Sequence, residues 1–289
     1  MNEQEVEKNE EKKEPNVIVD LRGKLPNRPF PTWLDLLSTV GVFALSVVVG
    51  SFFVASMMQT RGVTNLTPDM TFIYYLIQML PTIAFVMWLR RRAGRESAVR
   101  WGVRRVNLPI LLWGFVVMTA SSIVLEPLLS LFPTEPYEDV TANIGFGGWA
   151  ILSTVVAAPI LEELLFRGLI FESCRERFGN AWAVLTSALL FGLIHIVPVQ
   201  MVNAFVVGII LGYIYLKTGS LLSVIILHAI NNAIAYTTMY YFADSADVTL
   251  ESMFASKTAY WIVYSVAAAI FIFALIHLWR MLRSDSSRA

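Results

Sequence analysis

GWAILSTVVAAPILEELLFRGLIF, residues 148–171, is apolar almost from end to end, yet it holds Glu162, Glu163 and Arg167. A helix that crosses the hydrocarbon core of a bilayer needs roughly 20 mostly apolar residues, because backbone groups must be satisfied internally there. A charged side chain inside such a span costs roughly 2.5–3.5 kcal/mol on insertion scales. Three in one span ask for a reason.

The rest of the chain is of the same kind. Of 289 residues, 56% are hydrophobic and only 15% charged, which displaces the chain from soluble globular proteins toward the membrane class. Eight apolar stretches can be read, at about 34–56, 70–89, 108–131, 148–171, 181–197, 199–216, 221–243 and 259–281. The fifth and sixth are short and meet in a tight turn at Val197-Pro198-Val199. The fold class is therefore an all-α polytopic transmembrane bundle. Two regions are expected: a disordered, hydrophilic cytoplasmic tail over 1–30 and a transmembrane domain over 31–289. The tail has no early apolar segment of the signal-peptide kind.

Loop charge orients the bundle. Arg22, Lys24 and Arg28 precede the first span, and Arg90, Arg91, Arg92, Arg95, Arg100, Arg104 and Arg105 crowd the connection after the second. Arg175, Arg177, Lys217, Arg280, Arg283 and Arg288 fall on the same side. The opposite loops hold Arg61 and Lys257, with Glu135, Glu138 and Asp139 in the 132–147 loop. The positive-inside rule then expects both termini in the cytoplasm, which an even number of spans satisfies. Trp33, Trp88 and Trp279 would anchor inner ends, and Trp149, Tyr240, Tyr241 and Trp261 outer ones. The zero net charge says nothing of partners. One cysteine, Cys174, excludes an internal disulfide framework and a Cys-rich zinc module.

Several polar groups have a plain explanation. Asp35 and Glu126 lie near helix ends, Arg90 to Arg92 are expected at the interface, and His277 suits packing near the last inner end. Ala204, Gly208 and Gly212 form a small-residue stripe that predicts close helix packing in the bundle, with a dimer contact as the alternative.

Three clusters resist such explanation: Glu162-Glu163 with Arg167, Phe191 with His195, and His228 with Asn232. Glu163 and Arg167 are four apart, share a face and can neutralise each other. Glu162 points about 100° away and lacks that partner. Low dielectric favours the neutral form of a carboxylic acid, a condition that suits general acid or base work. His228 and Asn232 share one face, and Phe191 precedes His195 by a turn. At ~1.5 Å per residue, Glu162, His195, His228 and Asn232 lie ~13, ~21, ~10 and ~16 Å from the inner ends, compatible with one layer. Buried polar groups can also serve only as interhelical hydrogen bonds, but six on three helices converge more than that purpose requires.

In this order the residues resemble the CPBP family of CAAX prenyl endopeptidase type II and bacteriocin-processing membrane proteins, also called Abi. Its pattern of EExxxR, FxxxH and HxxxN or HxxxD matches Glu162-Glu163 to Arg167, Phe191 to His195, and His228 to Asn232. The likeness covers a motif-bearing core of about 145–243; the first three spans and the last carry no matching motif. It implies an intramembrane endopeptidase. Glu162 with His195 would activate the attacking water, His228 and Asn232 would stabilise the oxyanion, and Glu163 and Arg167 would hold the helix geometry, with Phe191 supporting. Members of this family have often been labelled metalloproteases, but the reading favoured for this sequence needs no cofactor. Zinc on Glu162, His195 and His228 is the less favoured alternative, since no HExxH is present.

Other peptidase chemistries fit worse. An aspartyl dyad needs two intramembrane Asp, and Asp35 stands alone; Ser153, Ser187 and Ser223 lie in no nucleophile motif. The expected partners are a membrane-associated peptide or protein substrate and the bilayer, with no nucleic acid, in a bacterial cytoplasmic membrane. A non-catalytic scaffold that binds a partner through its helices is the competing reading, and a transporter the weaker third.

Overall fold

The structure, a computed structural model, describes residues 29–95, 102, 106–133, 144–241, 254 and 256–285. The expected tail falls outside this set, as do Arg22, Lys24, Arg28, Arg100, Arg104, Arg105, Glu135, Glu138, Asp139 and Arg288 among the orienting charges.

The fold is an all-α polytopic bundle, and the protein is an integral, multi-pass membrane protein. Its helices are α1 (Trp33–Arg61), α2 (Pro68–Arg92), α3 (Leu108–Leu129), α4 (Gly148–Phe178), α5 (Asn180–Leu193), α6 (Pro198–Thr218), α7 (Leu221–Tyr241) and α8 (Lys257–Asp285). Among the described residues, seven helices are long and apolar enough to cross a membrane by length and composition. The eighth, α5, has 14 residues, a rise of about 21 Å, which falls short of a ~30 Å hydrocarbon core. The expected fifth span, 181–197, thus stops early. Pro198 opens α6 and disfavours helical backbone just before it. The chain turns at Ile196, whose φ is 60°, with the Val197 amide donating to the His195 carbonyl at 2.6 Å.

Three antiparallel pairs organise the bundle: α1 with α2, α3 with α8, and α5 with α6, while α7 packs on α3 and α4. The small-residue stripe explains the α5–α6 contact. A Cβ at Gly208 would lie 3.0 Å from Ala188 Cα and 3.3 Å from Phe191 Cδ1, and one at Gly212 would lie 3.5 Å from Val184. The stripe is an intramolecular seam. Between α3 and α8, the Tyr260 hydroxyl donates to Glu126 Oε2 at 2.6 Å, and His277 packs on Trp113 with ring centroids 4.4 Å apart. Asp35 completes a capping box with Thr32 at the start of α1.

Arg90, expected at the interface, is enclosed by protein. It is 3% exposed, donates to the Leu169 carbonyl at 3.3 Å and to Ser173 Oγ, and faces Glu176 at 3.9 Å. The C-terminal end of α2 is thereby tied to α4. Nearby, the Tyr215 hydroxyl donates to Glu172 Oε1 at 2.9 Å, and Arg175 donates to Glu172 Oε2 at 2.7 Å. Cys174 is buried in the apolar core.

Candidate active site

Helix α4 carries the acidic residues in an uneven backbone. Leu152–Ala157 and Leu164–Phe171 are π-helical, and Ala158–Glu163 between them is α-helical. π-Helical turns widen a helix, re-aim its side chains and recur at functional sites. In the first π segment the Ala158 amide reaches back five residues to the Ser153 carbonyl. The next bond in that register would join Thr154 to Pro159, which has no N–H. Asn232 Nδ2 on α7 donates to the Thr154 carbonyl at 2.9 Å. The side-chain amide supplies the donor that proline withholds, and its second N–H is still available.

Glu163 and Arg167 pair as their spacing predicts. Arg167 Nη1 donates to Glu163 Oε1 at 2.8 Å, and neither residue has any exposure. Two further contacts hold the guanidinium. Nη2 donates to the Gly208 carbonyl at 3.1 Å, and Cζ lies 4.6 Å from the centre of the Phe191 ring. Gly208 is suited to this position because only a residue without Cβ lets α6 approach α5 so closely.

His228 meets both glutamates. Nδ1 lies 2.9 Å from Glu163 Oε1, and Nε2 lies 3.7 Å from Glu162 Oε2. A carboxylate paired to arginine only accepts, so His228 donates through Nδ1 and turns Nε2 toward Glu162. Phe191 packs edge-on against His228 and His195, at 5.5 and 5.1 Å between ring centroids.

His195 lies two residues past the end of α5 and is half-buried. Its Nδ1 is 2.8 Å from the Phe191 carbonyl. A carbonyl only accepts, so Nδ1 carries the proton and Nε2 of the neutral ring is the acceptor. Among the described contacts no hydrogen bond joins His195 to Glu162; Phe191 stands beside both histidine rings. The structure therefore gathers Glu162, Glu163, Arg167, Phe191 and His228 tightly, with His195 and Asn232 at the margins. Among the described residues no three His, Cys, Asp or Glu side chains are grouped closely enough to hold a metal ion.

One participant lay outside the motifs. Tyr75 on α2 donates its hydroxyl to Glu162 Oε1 at 3.0 Å. A tyrosine in an aromatic-rich span carries no local signal that it faces a carboxylate. Ser187 is committed to the Phe166 carbonyl at 3.0 Å and Ser223 to Ser220 Oγ at 2.9 Å.

The motif residues of the site lie within residues 145–234, which match the family model of type II CAAX prenyl endopeptidase Rce1-like proteins. That segment is similar to the CPBP family of membrane proteases, to which the motifs also point. Among curated proteins, the chain is similar to an uncharacterized 24.3 kDa protein of Escherichia coli. The two are 26% identical over 136 residues, 44% of this chain and 61% of that protein. The chain thus spans less than two thirds of that relative. No solved structure matches it.

Proposed function

We propose that this chain is an intramembrane endopeptidase that hydrolyses a membrane-associated peptide or protein with water activated by glutamate and histidine. The observation that carries the reading is the meeting of Glu162, Glu163 and His228 in one apolar layer, within 2.9 and 3.7 Å of each other's polar atoms. Arginine neutralises Glu163. Glu162 receives only neutral donation from Tyr75 and faces a histidine, the environment of a proton acceptor rather than of a structural ion pair. The 3.7 Å between Oε2 and Nε2 exceeds a direct hydrogen bond and is short enough for one water to touch both.

In this mechanism Glu162 takes a proton from water as its oxygen attacks the scissile carbonyl, and later returns that proton to the leaving amine. In its imidazolium form His228 keeps Nδ1–H on Glu163 and donates Nε2–H, together with the second N–H of Asn232, to the developing oxyanion. His195, with Nδ1 held on the Phe191 carbonyl, offers Nε2 to the attacking water or the leaving group. Prearranged donors in a water-poor site supply much of the rate enhancement in acyl transfer, on the order of 10²–10³ for a single donor.

The test is cleavage of a quenched peptide library by purified, detergent-solubilised protein, wild type beside Glu162→Gln and His195→Ala, with and without chelator. Loss of cleavage in both folded variants, indifferent to chelator, is expected. Cleavage retained by Glu162→Gln refutes the assignment of the base. Loss with chelator and rescue by zinc would make Glu162 and the histidines metal ligands. A scaffold that binds a partner through its helices predicts instead that Glu162→Gln changes partner binding or stability and leaves no cleavage to lose.

A further inference from the structure

Tyr75 lies outside the matched segment and outside every motif, in a helix that the motifs leave without a role. Its hydroxyl is 3.0 Å from Glu162 Oε1 and 3.5 Å from the Ala158 carbonyl, two acceptors one turn apart on α4. A phenol has one proton to donate. The shorter distance and the stronger acceptor direct it to the carboxylate. Helix α2 is held for this contact on two sides. Arg90 ties its C-terminal end to Leu169 and Ser173 of α4. On the other face α1 approaches so closely that a Cβ at Gly50 would lie 2.8 Å from the Tyr74 ring.

We infer that Tyr75 is a positioning residue for Glu162. With Oε1 held by the tyrosine, the carboxylate plane is set and Oε2 is presented to His228 Nε2 at 3.7 Å. One oxygen stays anchored while the other takes the proton from water. The donor is neutral, so it orients the carboxylate without tying up its charge, as Arg167 does for Glu163. The inference rests on the peptidase reading and adds to it a residue from the helices that carry no motif.

The test compares full-length Tyr75→Phe with wild type in detergent, on a peptide that the wild type cleaves. The control is Tyr74→Phe, whose hydroxyl lies 3.4 Å from Ser51 Oγ and away from the site. The expected result is a kcat lower by about 10- to 100-fold for Tyr75→Phe with KM within about twofold, since misplacing a catalytic group costs turnover rather than affinity. Tyr74→Phe should leave both constants unchanged. A second readout needs no substrate: thermal unfolding of Tyr75→Phe, Glu162→Gln and the double variant. The double variant should lower Tm by less than the sum of the single shifts. Additive shifts, or an unchanged kcat, overturn the positioning role. Coupled shifts in a protein that cleaves no peptide in the library refute the peptidase reading and, with it, the catalytic meaning of the contact. Should Tyr75→Phe fail to fold, 3-fluorotyrosine at position 75 keeps the shape and alters the donor, and an unchanged kcat there overturns the inference equally.

Discussion

Replacing Arg167 by Met removes a cation from a place that no water reaches. Arg167 and Glu163 are both wholly buried, joined at 2.8 Å, with Glu163 Oε2 and Arg167 Nε lacking any hydrogen-bond partner. Breaking a buried pair from one side strands the other charge and costs roughly 3–5 kcal/mol. Arg167→Met also loses the bond to the Gly208 carbonyl, about 1 kcal/mol, and the contact with the face of Phe191, about another. Glu163→Gln strands the guanidinium but keeps an amide oxygen for His228 Nδ1, so it should cost the lower end of the range. The double variant removes both charges together, and neutral replacements of similar volume are often close to isoenergetic with the pair. The expected order of stability is wild type near the double variant, then Glu163→Gln, then Arg167→Met. Thermal or SDS unfolding of the four purified proteins in one detergent measures it. The reasoning is refuted if either single variant costs under about 1 kcal/mol, or if the double variant costs the sum of the two.

Three more outcomes follow from the geometry. Gly208→Ala should lower Tm, because a Cβ 3.0 Å from Ala188 Cα meets backbone that cannot yield, at about 1–3 kcal/mol of overpacking. Gly41→Ala, with nothing within 4 Å, should leave Tm unchanged or raise it by helix propensity worth up to about 1 kcal/mol; equal shifts in the two variants would contradict the seam. Asn232→Ala should lose both stability and turnover. Adding Pro159→Ala, which returns an N–H to the Thr154 carbonyl, should restore stability and leave turnover low; restored turnover would make Asn232 a structural residue only. Tyr260→Phe should cost about 1–3 kcal/mol by taking the donor from Glu126 while cleavage persists, and loss of cleavage in a folded variant would place α8 in the chemistry.

Much was legible before any coordinates. Hydropathy is a sum over neighbours in sequence, so the bundle and its long helices could be read directly. The pairing of Glu163 with Arg167 also depends only on positions within one helix, and it survives the π-helical distortion of α4. Pro198 marks the break between the fifth and sixth helices, although the turn falls at 194–197 rather than over Val197-Pro198-Val199, since Pro198 and Val199 already belong to α6. What failed locally was the length of α5, since apolar composition runs on through Ile194, Ile196 and Val197 although the backbone has already turned. The burial of Arg90 could not be read either, because it comes from a contact with α4 seventy-nine positions away.

The sequence by itself determined the membrane class, the apolar spans and the residue types of the site. Tertiary structure decided which of those residues touch. His228 reaches both glutamates, Arg167 is steadied by the Gly208 carbonyl, Asn232 answers the amide missing at Pro159, and Tyr75 is delivered from a helix without a motif. The reason is physical. A soluble helix announces its buried face by an apolar stripe, whereas a helix set in lipid is apolar all round and its rotation leaves little trace in composition. Which face of α2 looks at α4 is settled by close packing among neighbours, and that packing exists only when the helices are assembled.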